Sequence, residues 1–129
     1  MAQAAVIPQQ PGLRPDAQTE AVALEGVRIT FDLPNGGIYQ AVDATDLAVR
    51  GDEFVAIVGP SGSGKSTLLN VISGLDSLDS GTITVGGRDM TEVPAHKRGF
   101  GMVFQSYALF PHKSVAENVA YPLQIRRLP

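Results

Sequence analysis

The stretch Phe54-Val55-Ala56-Ile57-Val58-Gly59-Pro60-Ser61-Gly62-Ser63-Gly64-Lys65-Ser66-Thr67-Leu68-Leu69 decides the reading of this sequence. Its first five residues are a continuous apolar run bounded by Asp52-Glu53 and Gly59. Such a run suits a strand buried on both faces. At its other end, Leu68, Leu69, Val71 and Ile72 fall mostly at helical spacing, and Gly74 stops the pattern. A helix is predicted over residues 66–73. Between strand and helix lies a glycine, four residues, then Gly64-Lys65-Ser66. Glycines let the backbone turn tightly and aim several N–H groups inward, forming an anion nest. A helix beginning near Gly64 adds the positive end of its dipole. Lys65 adds a full charge that can reach β- and γ-phosphates, and Ser66 offers a hydroxyl oxygen to Mg²⁺. The cation suits the site because it neutralises adjacent phosphate charges and prefers oxygen ligands. A Gly-rich turn before a helix is the bland alternative. The strand and helix on either side favour a cradle for a nucleoside triphosphate, ATP with Mg²⁺ first among them.

Upstream, Val22 to Phe31 alternates partly and predicts a half-buried strand. Pro34-Asn35-Gly36-Gly37 is a turn signal, and a second strand is expected from Tyr39 to Val49. Together they suggest an antiparallel layer. Downstream, Thr82 to Val85 reads as a short strand closed by Gly86-Gly87, and Phe100 to Phe104 as another apolar strand. Ser114 followed three residues later by Glu117 has the spacing of a capping box. It predicts a helix to about Tyr121, ended by Pro122. Ala95-His96-Lys97-Arg98 reads as a solvated polar loop, and neither His96 nor His112 is a candidate catalyst. Residues 1–20, with Gln3, Gln9, Gln10, Pro8, Pro11 and Pro15, read as a mobile tail, since they offer little apolar surface against the entropy of ordering.

Composition narrows the function class. The chain has 129 residues, 43% hydrophobic and 18% charged, within the range of a soluble globular chain. A net charge of −3 gives no global basic field for nucleic acid. Cysteine is absent, which excludes disulfides and thiolate metal sites. No stretch approaches the roughly 20 apolar residues of a membrane-spanning helix. Any membrane role must come through partners.

The segment Gly59 to Leu69 resembles the Walker A segment of ABC-transporter ATPase subunits. Ile72-Ser73-Gly74-Leu75 and Asp79-Ser80-Gly81 are similar to that family too. Val103-Phe104-Gln105-Ser106-Tyr107-Ala108-Leu109-Phe110-Pro111-His112 resembles its Q-loop region, and Ser114-Val115-Ala116-Glu117-Asn118-Val119 continues the likeness. The resemblance covers about residues 22–129, and within the family it leans towards importers of the polyamine, iron and sulfate type. It implies an α/β fold of the P-loop NTPase kind, ABC ATPase type but incomplete. An N-terminal antiparallel β layer and the start of the helical subdomain belong to that fold.

It also implies roles. Gly59, Pro60 and Ser61 open the nucleotide-binding loop. Gly62, Ser63, Gly64, Lys65, Ser66 and Thr67 would offer backbone amides to the phosphates. Thr67 would approach the α-phosphate, and Lys65 would act in catalysis. Ser66 would ligate Mg²⁺. Gln105 would contact Mg²⁺ or the attacking water and sense the membrane partner. An upstream aromatic would stack on adenine. Phe31 and Tyr39 are both candidates, and Phe31 suits the family position better because it ends the first strand before the turn. Tyr107 to Pro111 would border the groove for a cytoplasmic helix of the transmembrane subunit, with local packing as the alternative.

The partners implied are transmembrane permease subunits, a second ATP-binding subunit and, indirectly, an extracytoplasmic solute-binding protein. The implied place is the cytoplasmic face of the inner or plasma membrane. Downstream of Lys65 the sequence also departs from the family. The aspartates Asp76, Asp79 and Asp89 do not follow four apolar residues, so no Walker B segment is present. The Leu-Ser-Gly-Gly-Gln signature and the switch histidine are likewise absent. The expectation is an N-terminal fragment or truncated product that holds MgATP and hydrolyses it poorly alone. A binding-only or regulatory remnant and a non-transport ABC ATPase are the alternatives.

Overall fold

The computed structural model describes residues 4–5 and 20–126. β2 (Glu20–Asp32) and β3 (Ile38–Arg50) form a long antiparallel hairpin, with Phe31 opposite Tyr39 next to the turn and Leu24 opposite Leu47 farther along. Both strands match the sequence expectation, each extended at its ends. β5 (Ser80–Val85) lies antiparallel on the other side of β2, and β6 (Arg88–Asp89) follows it. The order in the sheet is β3-β2-β5-β6.

β2 carries a bulge that sets its face. Leu24 and Val27 are both buried although three residues apart, so one residue must be extra to the two-residue period. Against β5 the register moves from Glu25↔Thr82 to Arg28↔Ser80, three residues facing two. Gly81 lies opposite this bulge with φ +101°, and a Cβ there would stand 2.6 Å from the carbonyl oxygens of Glu25 and Gly26. Only glycine lets the strands close at that point.

α1 (Lys65–Ser73) packs across the sheet. Leu68 and Val71 join Leu24, Val27, Ile29, Val42 and Ile83 in one buried cluster, with Leu47, Ile57, Ile72 and Leu78 packed around it. The helix ends as its sequence predicts. Gly74 takes φ +80°, its N–H donates to Val71 at 3.1 Å, and that of Leu75 to Asn70 at 2.9 Å. These are the two bonds of a Schellman cap.

Four expectations are corrected. The apolar run Phe54 to Val58 is not a strand buried on both faces. Only β4 (Ala56–Ile57) pairs, and it pairs with β1 (Ala4–Ala5). Phe54 is 70% exposed, because burial on both faces needs hydrogen-bonded neighbours and covering layers, and among the described residues β4 has only β1 beside it. Phe100 to Phe104 forms no strand for the same want of a partner, and Val103 is 94% exposed. Pro122 does not end α3 (Val115–Ile125). Proline has a helical φ and removes one donor, and Arg126 N–H resumes the ladder to Pro122 at 3.2 Å. Finally, Ala95–Arg98 is not a solvated loop but the short helix α2, whose last side chain is buried. Most of the tail expected over residues 1–20 lies outside the described residues.

Candidate functional site

The loop from Gly59 to Gly64 connects β4 to α1, and a cavity of about 540 Å³ opens over it. Residues 61–67 line it together with Tyr39 and Ala41 of β3. Gly62 and Gly64 adopt φ +77° and +86°, left-handed values that the bends of the nest require. At Gly64 even a methyl group would collide with the Ala41 carbonyl oxygen, so the glycine also permits the approach of loop to strand.

The N-terminus of α1 is built to receive negative charge. Gly64 is its cap residue and supplies no side-chain acceptor, and no acidic residue occupies the first turn. The first N–H groups of a helix have no acceptor within it. Here they open on the cavity with the positive end of the helix dipole behind them. The Lys65 ammonium donates to the carbonyls of Gly59 at 2.9 Å and Pro60 at 2.7 Å, and to Ser63 Oγ at 3.3 Å. These neutral oxygens hold the ammonium over the loop without cancelling its charge. Ser66 is exposed on the cavity wall, and Thr67 stands beside it, half-buried.

The structure therefore brings together the loop residues 61–67 and one of the two candidate aromatics. Tyr39 lines the cavity, and its hydroxyl donates to the Gly62 carbonyl at 3.0 Å. Phe31, opposite it in the ladder, is 41% exposed and does not line the cavity. Gln105 is not brought to the loop either. It is exposed at the start of the turn Gln105 to Ala108, where Tyr107 and Ala108 take φ +63° and +51°. Two successive non-glycine residues in the left-handed region cost about 1–2 kcal/mol each.

After the turn, local contacts take over. Phe110 packs against Tyr121 at a tilt of 55°, with ring centroids 4.5 Å apart, and meets His112 edge-on at 5.9 Å. Lys113 lies 5.6 Å from the Tyr121 ring centre. Phe110 is thus engaged in local packing, while Tyr107 and Leu109 are exposed. The Asn118 amide clasps this segment, accepting from Phe110 N–H at 2.9 Å and donating to Lys113 at 3.1 Å and Ser114 at 2.9 Å. The predicted capping box is present. Ser114 Oγ accepts from Glu117 N–H at 3.3 Å, and the Glu117 carboxylate accepts from Ser114 N–H at 2.7 Å. That backbone bond, then the Ser114 hydroxyl, hold the Glu117 carboxyl below its usual range.

Arg98 is the residue that sequence reading missed. It is 8% exposed, and its guanidinium donates to the carbonyls of Val93 at 2.6 Å, Val71 at 2.8 Å, Ile72 at 2.8 Å and Thr91 at 3.2 Å. A cation at the C-terminus of α1 complements the negative end of its dipole. Burial disfavours the charged guanidinium and lowers its proton affinity. The sequence holds a weak signal: Arg98 sits three residues after Ala95 in a run that otherwise has no reason to be ordered.

Among the described residues, no cluster of three or more His, Cys, Asp or Glu could hold a metal ion. No described helix is long and apolar enough to cross a membrane.

This constellation, an anion nest at the start of a helix packed on an antiparallel layer, defines a class that comparison makes specific. Residues 42–128 match the family model of the ABC transporter domain, and the chain belongs to that family. It is 54% identical over 93 residues to the sulfate/thiosulfate import ATP-binding protein CysA of Mycobacterium tuberculosis (strain ATCC 25618 / H37Rv), covering 72% of this chain and 26% of that protein. It is 54% identical over 84 residues to the spermidine/putrescine import ATP-binding protein PotA of Haemophilus influenzae (strain 86-028NP), covering 65% and 23%. The fold is similar to the dimeric structure of MJ0796, a bacterial ABC transporter cassette, with TM-score 0.74 and 32% identity over 81% of this chain and 47% of that one. The chain thus spans about a quarter of the length of the curated relatives it matches.

Proposed function

We propose that this chain supplies the phosphate-binding part of an ATP-binding subunit of an ABC importer, holding MgATP so that partner transmembrane subunits can move solute. The observation that carries it is the cavity over residues 61–67, where the free N–H groups of α1 and the Lys65 ammonium converge. The likeness to importer ATP-binding proteins supports the importer reading. A second ATP-binding subunit, permease subunits and an external solute-binding protein complete the proposed assembly, at the cytoplasmic face of the membrane.

The roles follow from position. Backbone amides from Gly62 to Thr67 take the phosphate oxygens, and Lys65 leaves its carbonyl acceptors for the β- and γ-phosphates. Adenine stacks on one of the two candidate aromatics: Phe31 suits the family position, while Tyr39 lines the cavity; base–aromatic stacking is worth about 1–3 kcal/mol. Mg²⁺ fits the donor set only as a hard cation shared with phosphate, since Ser66 supplies one hydroxyl and no carboxylate cluster is present among the described residues. Bound there, it would neutralise phosphate charge. Gln105 reaches the cation or the attacking water only if its turn moves towards the cavity.

Hydrolysis needs positioning and charge stabilisation around the attacking water. The loop supplies the charge part, and the sequence holds no Walker B glutamate for the water. The residues present are therefore proposed to bind MgATP. Calorimetric titration of MgATP tests this. Lys65→Ala removes charge-assisted bonds worth about 1.5–3 kcal/mol, an expected loss of roughly 10- to 150-fold in affinity. Equal affinity in that variant would refute the reading. A binding-only role is the second reading, favoured by the absence of Gln105 from the residues that line the cavity.

A further inference from the structure

We propose that Tyr39 is a positioning residue that straps the phosphate loop in its binding conformation, a role separate from base stacking. The inference rests on the phosphate-cradle reading above. Its observation is the bond from the Tyr39 hydroxyl to the Gly62 carbonyl, 3.0 Å long and spanning 23 positions of sequence.

The strap acts on a peptide that little else fixes. A Cβ built on Gly62 would meet nothing within 4 Å, so no steric wall defines its orientation. A trans peptide points its C=O and N–H in opposite directions. Drawing the Gly62 oxygen to Tyr39 therefore sets the direction of the Ser63 N–H. That N–H donates to the Pro60 carbonyl at 3.3 Å, a long bond readily exchanged for a phosphate oxygen. Farther along β3, the Ala41 carbonyl backs Gly64 in close contact. β3 thus touches the loop at Gly62 and at Gly64, on both sides of Ser63. The long hairpin is a rigid rail, and the phenol ties the loop to it. Binding then needs less ordering of the loop, which is how preorganisation raises affinity.

A ligand without a base separates this role from stacking. Inorganic tripolyphosphate and MgATP are titrated by calorimetry into the full chain, as wild type, Tyr39→Phe, Phe31→Ala and Lys65→Ala. Tyr39→Phe keeps the ring and loses the strap. It is expected to weaken both ligands about fivefold, the worth of one neutral hydrogen bond, with the thermal midpoint of the free protein unchanged. Phe31→Ala weakens MgATP alone. The proposal is overturned if Tyr39→Phe binds both ligands like wild type, or loses affinity only for MgATP. It is also overturned if the free protein melts lower to match, since the phenol would then be holding the fold. If Lys65→Ala binds tripolyphosphate as tightly as wild type, the cradle itself fails and the strap falls with it; that outcome is distinct from any result at Tyr39.

Discussion

Two halves of this chain are built on different physics. From Glu20 to Arg98, strands far apart in sequence pair over a helix, and every residue of the buried cluster belongs to this part. From Gly99 to Arg126, no side chain is buried, and order comes from neighbours a few residues apart. The phosphate loop sits in the first half, Gln105 in the second. A site that must hold several N–H groups at fixed angles needs a rigid base, and long-range packing supplies one. A segment held by local polar bonds can shift at small cost, which suits a residue proposed to respond to a partner.

The largest expected effect falls in the packed half. Ile83→Ala, at a fully buried position on β5, should cost about 3–5 kcal/mol, against less than about 0.5 kcal/mol for Val119→Ala on the exposed face of α3. Urea midpoints of the two variants measure the contrast, and similar losses would erase the distinction. Arg98→Ala comes next, at about 2–3 kcal/mol in the same measurement, because four carbonyls lose a charged donor and the end of α1 loses its cation.

Asn118→Ala sharpens the comparison from the other side. It should lower amide exchange protection from Phe110 to Asn118 by about tenfold, roughly 1.4 kcal/mol of local opening, and leave the urea midpoint within error. A midpoint that falls with it would make the second half part of the main cooperative unit. The smallest effect is set by pH. The Glu117 carboxyl is held below its usual range, so its capping contribution is complete above the unfolded value and fades as pH falls through the folded one. Protection at the start of α3, taken relative to the intrinsic exchange rate at each pH, should therefore fall below about pH 4, and Glu117→Gln should remove most of that pH dependence.

Much of this was legible in the sequence because it depends on neighbours in the chain. The capping box needs only Ser114 and Glu117, three residues apart. The stop of α1 needs only Gly74, and the nest needs its glycines in order before a helix. Hairpin strands declared themselves by alternation on either side of Asn35-Gly36.

What failed were inferences that required a partner from elsewhere. The composition of Phe54 to Val58 is that of a doubly buried strand, yet a strand is made by its neighbours, and only Ala4–Ala5 lies against it. Arg98 reads as a surface charge until the carbonyls at the end of α1 arrive around it. In sequence Phe31 suits the stacking position better than Tyr39, and only the fold puts Tyr39 on the loop. By itself the sequence determined that residues 59–66 form a glycine-rich loop running into a helix start, since that geometry is local. The tertiary structure decided which strand backs the nest and which side chain ties it down, because contacts across 23 positions follow from how the sheet folds over α1.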